Sequence, residues 1–157
     1  MPGHLREELK QKIPFASREE ETLIAIMRTA DLLQYRLQAL FKRFDLTLTQ
    51  YNVLRILRGA GPPGLSCREV GRRLINQVPD VTRLLDRMEG EQLVRRERQA
   101  EDRRIVRVTI TPRGLKLAEK LHEPLAQLER AALGHISQGR LEMLCGLLEE
   151  ARSAPEN

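Results

Sequence analysis

Between Val78 and Glu89 the chain reads Val78-Pro79-Asp80-Val81-Thr82-Arg83-Leu84-Leu85-Asp86-Arg87-Met88-Glu89. The groups here that can do chemistry are guanidiniums and carboxylates, not nucleophiles. A guanidinium is a planar fork of donors, matched to a phosphate or to the edge of a guanine. Val81, Leu84, Leu85 and Met88 recur at i, i+3, i+4 and i+7 and so share one face of a helix. Asp80, Thr82, Arg83, Asp86 and Arg87 fall on the other face. A helix packed by one side and showing arginine on the other suits a major groove, but it also describes many solvated surface helices. Asp80 stands where an acidic residue caps a helix and meets its dipole favourably.

The rest of the chain holds little other chemistry. No nucleophile–base set, paired catalytic carboxylates or phosphate-cradling loop stands out. Gly59-Ala60-Gly61-Pro62-Pro63-Gly64 is glycine-rich, but its prolines and the missing Lys-Ser/Thr argue against a phosphate site. Cys67 and Cys145 are far apart, with no CxxC and no His-Cys cluster, so neither zinc nor a disulfide framework is expected. An enzyme, a catalytic residue, a metal and a cofactor are therefore all unexpected. A second cationic group, Asp102-Arg103-Arg104, ends a polar loop that begins at Gln99.

The elements that must position these groups follow from composition and periodicity. The chain has 157 residues, 41% of them hydrophobic but only 3% aromatic, so one domain with an aliphatic, helical core is expected. Its formal charge of +5 permits an anionic partner. No apolar run approaches a membrane span, and Met1 to Pro14 lacks a signal-peptide core, so a cytoplasmic protein is expected. An arm over residues 1–16 stops at Pro14. Ser17 and Glu20 form a capping box for a helix running to about Phe44. Its stripe includes Leu23, Met27, Leu33, Leu37 and Phe41 and is too long for a small domain to cover, which predicts a second subunit.

Thr47 or Thr49 caps the next helix, which carries Tyr51, Val53, Leu54, Ile56 and Leu57 and breaks at Gly59 to Gly64. Ser66 and Glu69 form a second capping box, opening a short helix whose Val70, Leu74 and Ile75 should face inward. Pro79 suits the first position of the helix that carries Arg83 and Arg87, and that helix should end near Gly90. Leu93 to Arg98 and Ile105 to Ile110 read as a two-stranded ribbon, the second strand alternating Val106, Val108 and Ile110 with Arg107 and Thr109. Thr111-Pro112 opens a helix that Pro124 should bend but not end, and that closes at Gly134. Ser137 caps a last helix with Cys145 on its buried stripe, and Ser153 to Asn157 is a frayed tail.

At this point the chain resembles a known family. Val81 to Glu89, then Leu93-Val94-Arg95-Arg96, then Asp102-Arg103-Arg104, then Thr109-Ile110-Thr111-Pro112-Arg113-Gly114 look like the signature of the MarR (multiple antibiotic resistance regulator) family. The resemblance covers about residues 18–152. It implies a mainly α fold with a small β-wing: a winged helix-turn-helix over 46–111, with dimerisation helices at 17–44 and 112–152. It implies a homodimeric transcriptional regulator, most simply a repressor, that binds a pseudopalindromic operator in double-stranded DNA and leaves it when a small molecule or an oxidant acts. A constitutive or architectural DNA binder without an effector is the alternative.

The resemblance carries over residue by residue. The helix from Pro79 to Gly90 is similar to the recognition helix, so Thr82, Arg83 and Arg87 should meet bases or phosphates. Arg104 resembles the wing-tip arginine that enters the minor groove, Asp102 the carboxylate that holds it, and Arg103 belongs to the same tip. Tyr35 and Tyr51 could line the cleft that takes a small aromatic or phenolic effector, or could be plain packing. The chain departs from the oxidant-sensing branch in having no cysteine before Cys67, and from the zinc-sensing branch because His4, His122 and His135 form no cluster. Cys67 opens a helix beside Arg68, a setting that can make a thiol reactive, and is read as a packing residue.

Overall fold

The computed structural model of the chain describes residues 4–153. The N-terminal arm is partly helical: α1 spans His4–Glu8, and the Glu8 carboxylate pairs with Arg28 at 2.9 Å. α2 (Arg18–Lys42) begins where Ser17 Oγ accepts the Glu20 amide at 3.1 Å. The reciprocal bond of the expected capping box falls one residue early, because the Glu20 carboxylate accepts the Ala16 N–H. α3 (Leu48–Ala60) has the full box: Thr47 Oγ1 accepts from the Gln50 amide and Gln50 Oε1 from the Thr47 amide, both at 3.1 Å.

The expected two-stranded ribbon is a three-stranded antiparallel sheet. β1 (Leu65–Ser66), β2 (Val94–Arg98) and β3 (Val106–Ile110) lie in the order β1-β3-β2. β1 has only two residues, too few for alternation to show in sequence. It exists because Gly64 lets the chain approach β3: at φ +82° a side chain would be strained, and a Cβ there would lie 2.2 Å from the Val108 carbonyl. Leu65 then pairs with Val108, while Arg96 on β2 pairs with the same Val108 from the other side.

α4 (Cys67–Arg73) starts at Ser66, whose Oγ accepts the Glu69 amide at 3.2 Å. α5 (Val81–Gly90) follows after a turn. The core below these elements is aliphatic, as the composition requires. Phe41, Leu54, Leu57, Val70, Leu85 and Met88 are fully buried, and each such side chain contributes about 1.5–3 kcal/mol by leaving water. α5 is therefore fixed by the face predicted for it, with Leu85 and Met88 buried and Val81 and Leu84 half-buried.

α6 (Pro112–Leu133) runs through Pro124 without ending, and α7 (Gln138–Arg152) follows. The chain divides after Ala118 into two compact units, the first holding α1 to the start of α6 and the second the remainder. Two expectations for α7 fail. Ser137 stands at the cap position but makes no side-chain capping bond, and Cys145 is exposed, not core. The stripe is present, but α7 has no buried residue at all. Periodicity orders a face; burial needs a surface laid against it. Of the tail expected at Ser153 to Asn157, residues from Ala154 on lie outside those described, as do Met1 to Gly3 of the arm. Among the described residues no helix is long and apolar enough to cross a membrane.

Candidate nucleic-acid interface

The start of α5 is set by a carboxylate. Asp80 Oδ1 accepts the Arg83 amide at 2.9 Å, so Asp80 is the N-cap and the helix begins at Val81. Pro79 therefore precedes the cap and does not open the helix as expected. The turn before it is pinned from below. Asn52, 3% exposed on α3, accepts the Ile75 N–H through Oδ1 at 3.0 Å. Ile75 itself is 70% exposed, against the expectation that it faces inward. α4 ends at Arg73 with Leu74 already extended (ψ 141°), so the helical period that would have carried Ile75 inward stops short of it.

The end of α5 is equally defined. Gln92 takes the left-handed conformation at φ 61°, its N–H donating to the Glu89 carbonyl at 2.9 Å and the Leu93 N–H to the Met88 carbonyl at 2.9 Å. That double bond pattern is a Schellman motif, closed here by a glutamine while Gly90 stays within the helix. With both ends held and one face buried, Thr82, Arg83 and Arg87 stand exposed on the other face. Neither the Arg83 nor the Arg87 guanidinium has a hydrogen-bond or carboxylate partner among the described residues, leaving all their donors available.

The wing carries the second predicted group. The last cross-strand pair, Arg98 with Val106, leaves a short loop closed by Gln99 N–H to the Ile105 carbonyl and Ile105 N–H to the Asp102 carbonyl, both at 3.0 Å. Arg103 and Arg104 are exposed at its tip. Asp102 is bonded differently from expectation: its Oδ1 accepts the Arg104 backbone N–H at 2.9 Å, and the two side chains form no ion pair. Two residues of separation suit this local turn, since a short side chain reaches the nearby N–H more easily than a guanidinium five bonds further out. Asp102 thus shapes the loop and leaves the Arg104 guanidinium without a partner among the described residues.

Sequence reasoning missed what joins wing and helix. Arg96 on β2 is 20% exposed, and its Nη2 reaches Glu89 Oε1 at 3.0 Å and also bonds Asp86 Oδ1 on α5. Glu89 Oε2 in turn accepts the Arg96 N–H at 2.8 Å. The hydrogen bond from Arg96 holds the Glu89 carboxyl below its ordinary range against the opposing effect of burial, and Glu89 raises the Arg96 guanidinium in return. A signal existed: Arg96 stands two residues after Val94 and so shares the inward side of β2, where a lone charge would be costly, and Asp86 and Glu89 lie one turn apart on α5.

Of the effector candidates, Tyr35 is 72% exposed on α2, while Tyr51 is half-buried on α3 with its ring stacked on Phe41 at 4.5 Å between centroids. Cys67 is half-buried and carries no disulfide.

Known proteins share this fold. A family profile described as MarR family matches residues 46–106, from the start of the α3 region into β3. The homoprotocatechuate degradative operon repressor of Escherichia coli is 26% identical over 127 residues, 81% of this chain and 84% of that one. The chain spans 66% to 84% of the lengths of the first curated relatives it matches. The fold recurs in a variant of Escherichia coli MarR complexed with operator DNA, 24% identical with a TM-score of 0.73, covering 83% of this chain and 91% of that one. A crystal structure of a MarR transcription factor from Planctomyces limnophilus matches at 38% identity and a TM-score of 0.66, covering 87% of this chain and 98% of that one. With that identity over nearly the whole of a solved member, and with the winged helix-turn-helix in place, this chain belongs to the MarR family of transcriptional regulators.

Proposed function

We propose that the chain is a homodimeric, sequence-specific DNA-binding repressor, released from its operator by a small aromatic or phenolic molecule. The observation that carries the DNA-binding part is α5. Its ends are capped, one face is locked in the core, and Thr82, Arg83 and Arg87 project from the other with no side-chain partner among the described residues. In this reading Arg83 and Arg87 meet base edges and phosphates in the major groove, and Arg104, with Arg103 beside it, enters the minor groove from the wing. Asp102 acts through the loop it closes.

The dimer reading rests on uncovered apolar surface. On α2, Leu23 is 59% and Met27 63% exposed, and on α7, Met143 is 67% and Leu147 56% exposed. A second copy over residues 17–44 and 112–152 would take this surface out of water. It would also present two copies of α5 to successive major grooves about 34–36 Å apart, which calls for a pseudopalindromic site. The effector reading draws on the Escherichia coli relative named for a homoprotocatechuate operon, whose namesake is a phenolic acid. Tyr35 and Tyr51 are the aromatic side chains assigned to that ligand. A DNA-binding regulator of this kind works in the cytoplasm.

The test is selection of sites from fragmented genomic DNA by the purified chain, then footprinting with and without hydroxyaromatic acids, with the mass in solution measured by light scattering. Enrichment of a two-fold symmetric site, a dimer mass and loss of the footprint with one of the acids are expected. A monomer that enriches no site would overturn the proposal, and a footprint that no acid relieves would reduce it to constitutive binding.

A further inference from the structure

Arg96 is an arginine of the wing that spends its guanidinium on α5. Antiparallel pairing sets it opposite the fully buried Val108, on the inward side of the sheet. Its Nε and Nη2 lie 3.4 and 3.0 Å from Glu89 Oε1, Nη2 also bonds Asp86, and its own N–H reaches Glu89 Oε2 at 2.8 Å. The arginine is the withdrawn member, at 20% side-chain exposure against 56% for Asp86 and 38% for Glu89. So engaged, its guanidinium is not free for a phosphate.

Two consequences follow from charge and geometry. Asp86 and Glu89 flank Arg87 on the helix proposed to meet DNA, and unpaired they would repel phosphate there. Nε and Nη2 converge on one Glu89 oxygen, the Arg96 N–H holds the other, and Nη2 also bonds Asp86, so the group fixes direction as well as distance and sets the angle between α5 and the hairpin. A helix tilted in the groove loses the alignment that base-edge hydrogen bonds need, whereas phosphate attraction tolerates tilt.

We propose that Arg96 is a positioning residue for base discrimination: through Glu89 and Asp86 it holds α5 at one angle to the wing, and it makes no DNA contact of its own. The inference rests on the DNA-binding reading above.

The experiment titrates the full-length protein and its Glu89→Gln, Arg96→Ala, Arg96→Lys and Glu89→Gln/Arg96→Ala variants against duplexes. These carry the site that the parent selects from a randomised library, and single-base variants of it, at several salt concentrations. Glu89→Gln removes a negative charge from the face that meets an anion, so simple electrostatics predicts tighter binding. The clamp predicts the reverse: about tenfold weaker binding to the selected site, a smaller gap between that site and its variants, and a salt slope like the parent's. Arg96→Ala should do the same, the double variant should be no worse than either single one, and Arg96→Lys should recover part of the discrimination.

Site preference is a ratio measured on bound protein, so a variant that is merely less stable leaves it unchanged. If Arg96→Ala fails to fold, Glu89→Gln still decides. Tighter binding by Glu89→Gln with unchanged preferences would overturn the inference. So would a salt slope shallower by about 0.9 for each lost contact in Arg96→Ala, which would make Arg96 a phosphate ligand. A parent that discriminates no site would overturn the DNA-binding reading, and this inference with it; a discriminating parent whose preferences survive Glu89→Gln overturns the inference alone.

Discussion

A methyl group at Gly114 tests how the first turn of α6 is seated on the turn between α5 and β2. A Cβ built there would lie 2.4 Å from the Leu93 carbonyl oxygen, 2.8 Å from Ile110 Cγ1 and 3.3 Å from Leu54 Cδ2. Non-bonded heavy atoms settle at about 3.5 Å, so the two backbones must part by roughly 1 Å. The space is closed by hydrogen bonds that would stretch: Thr111 N–H to the Leu93 carbonyl at 3.1 Å, Thr111 Oγ1 to the Gln92 carbonyl at 2.6 Å, and Gly114 N–H to Thr111 Oγ1 at 3.0 Å. Overpacking costs about 1–3 kcal/mol and each weakened bond about 0.5–1.5 kcal/mol. Against this, alanine gains up to about 1 kcal/mol over glycine in a helix. Gly114→Ala should therefore lose about 2–4 kcal/mol in urea unfolding at fixed protein concentration. Gly59→Ala on α3 is the control: nothing lies within 4 Å of its Cβ, and it should match the parent or gain up to about 1 kcal/mol. Should Gly114→Ala prove as stable as Gly59→Ala, the seating of α6 on the Leu93 carbonyl is wrong.

Gln92→Gly should raise stability by about 1 kcal/mol, because a left-handed residue with a Cβ costs roughly 1–2 kcal/mol that glycine avoids, less its greater freedom when unfolded. Thermal unfolding measures it, and a lower midpoint would refute the assignment of Gln92 as the residue that ends α5. Acid titration reads Glu89. Its folded carboxyl lies below the ordinary value, so the Arg96 pair stabilises the protein above the usual glutamate range and that contribution is lost as the pH falls through the folded value. Glu89→Gln should lower stability at neutral pH and flatten the acid limb of the stability–pH curve; an unchanged acid limb would show that the pair contributes nothing.

The helices were legible because their signals are local. Caps need one side chain and a backbone N–H three residues on, and Ser17, Thr47, Ser66 and Asp80 all supply it where the sequence places them or beside it. The face of α5 was legible because Val81, Leu84, Leu85 and Met88 repeat with the helical period. The same local reasoning identified the exposed residues Thr82, Arg83 and Arg87, and the tip residues Arg103 and Arg104.

What escaped it depends on contacts between residues far apart in the chain. β1 is two residues long and forms where Gly64 lets Leu65 approach Val108, far along the chain. Cys145 keeps its place on a stripe, yet burial is decided by what covers the stripe, which no periodicity states. Ile75 turns outward where α4 stops short of it, with its N–H held by Asn52, 23 residues earlier. Arg96, Glu89 and Asp86 were each read as members of a motif or a charged face. Only the folding of β2 against α5 makes them one ionic group, since the attraction between charges depends on their distance in space and not on their separation in sequence.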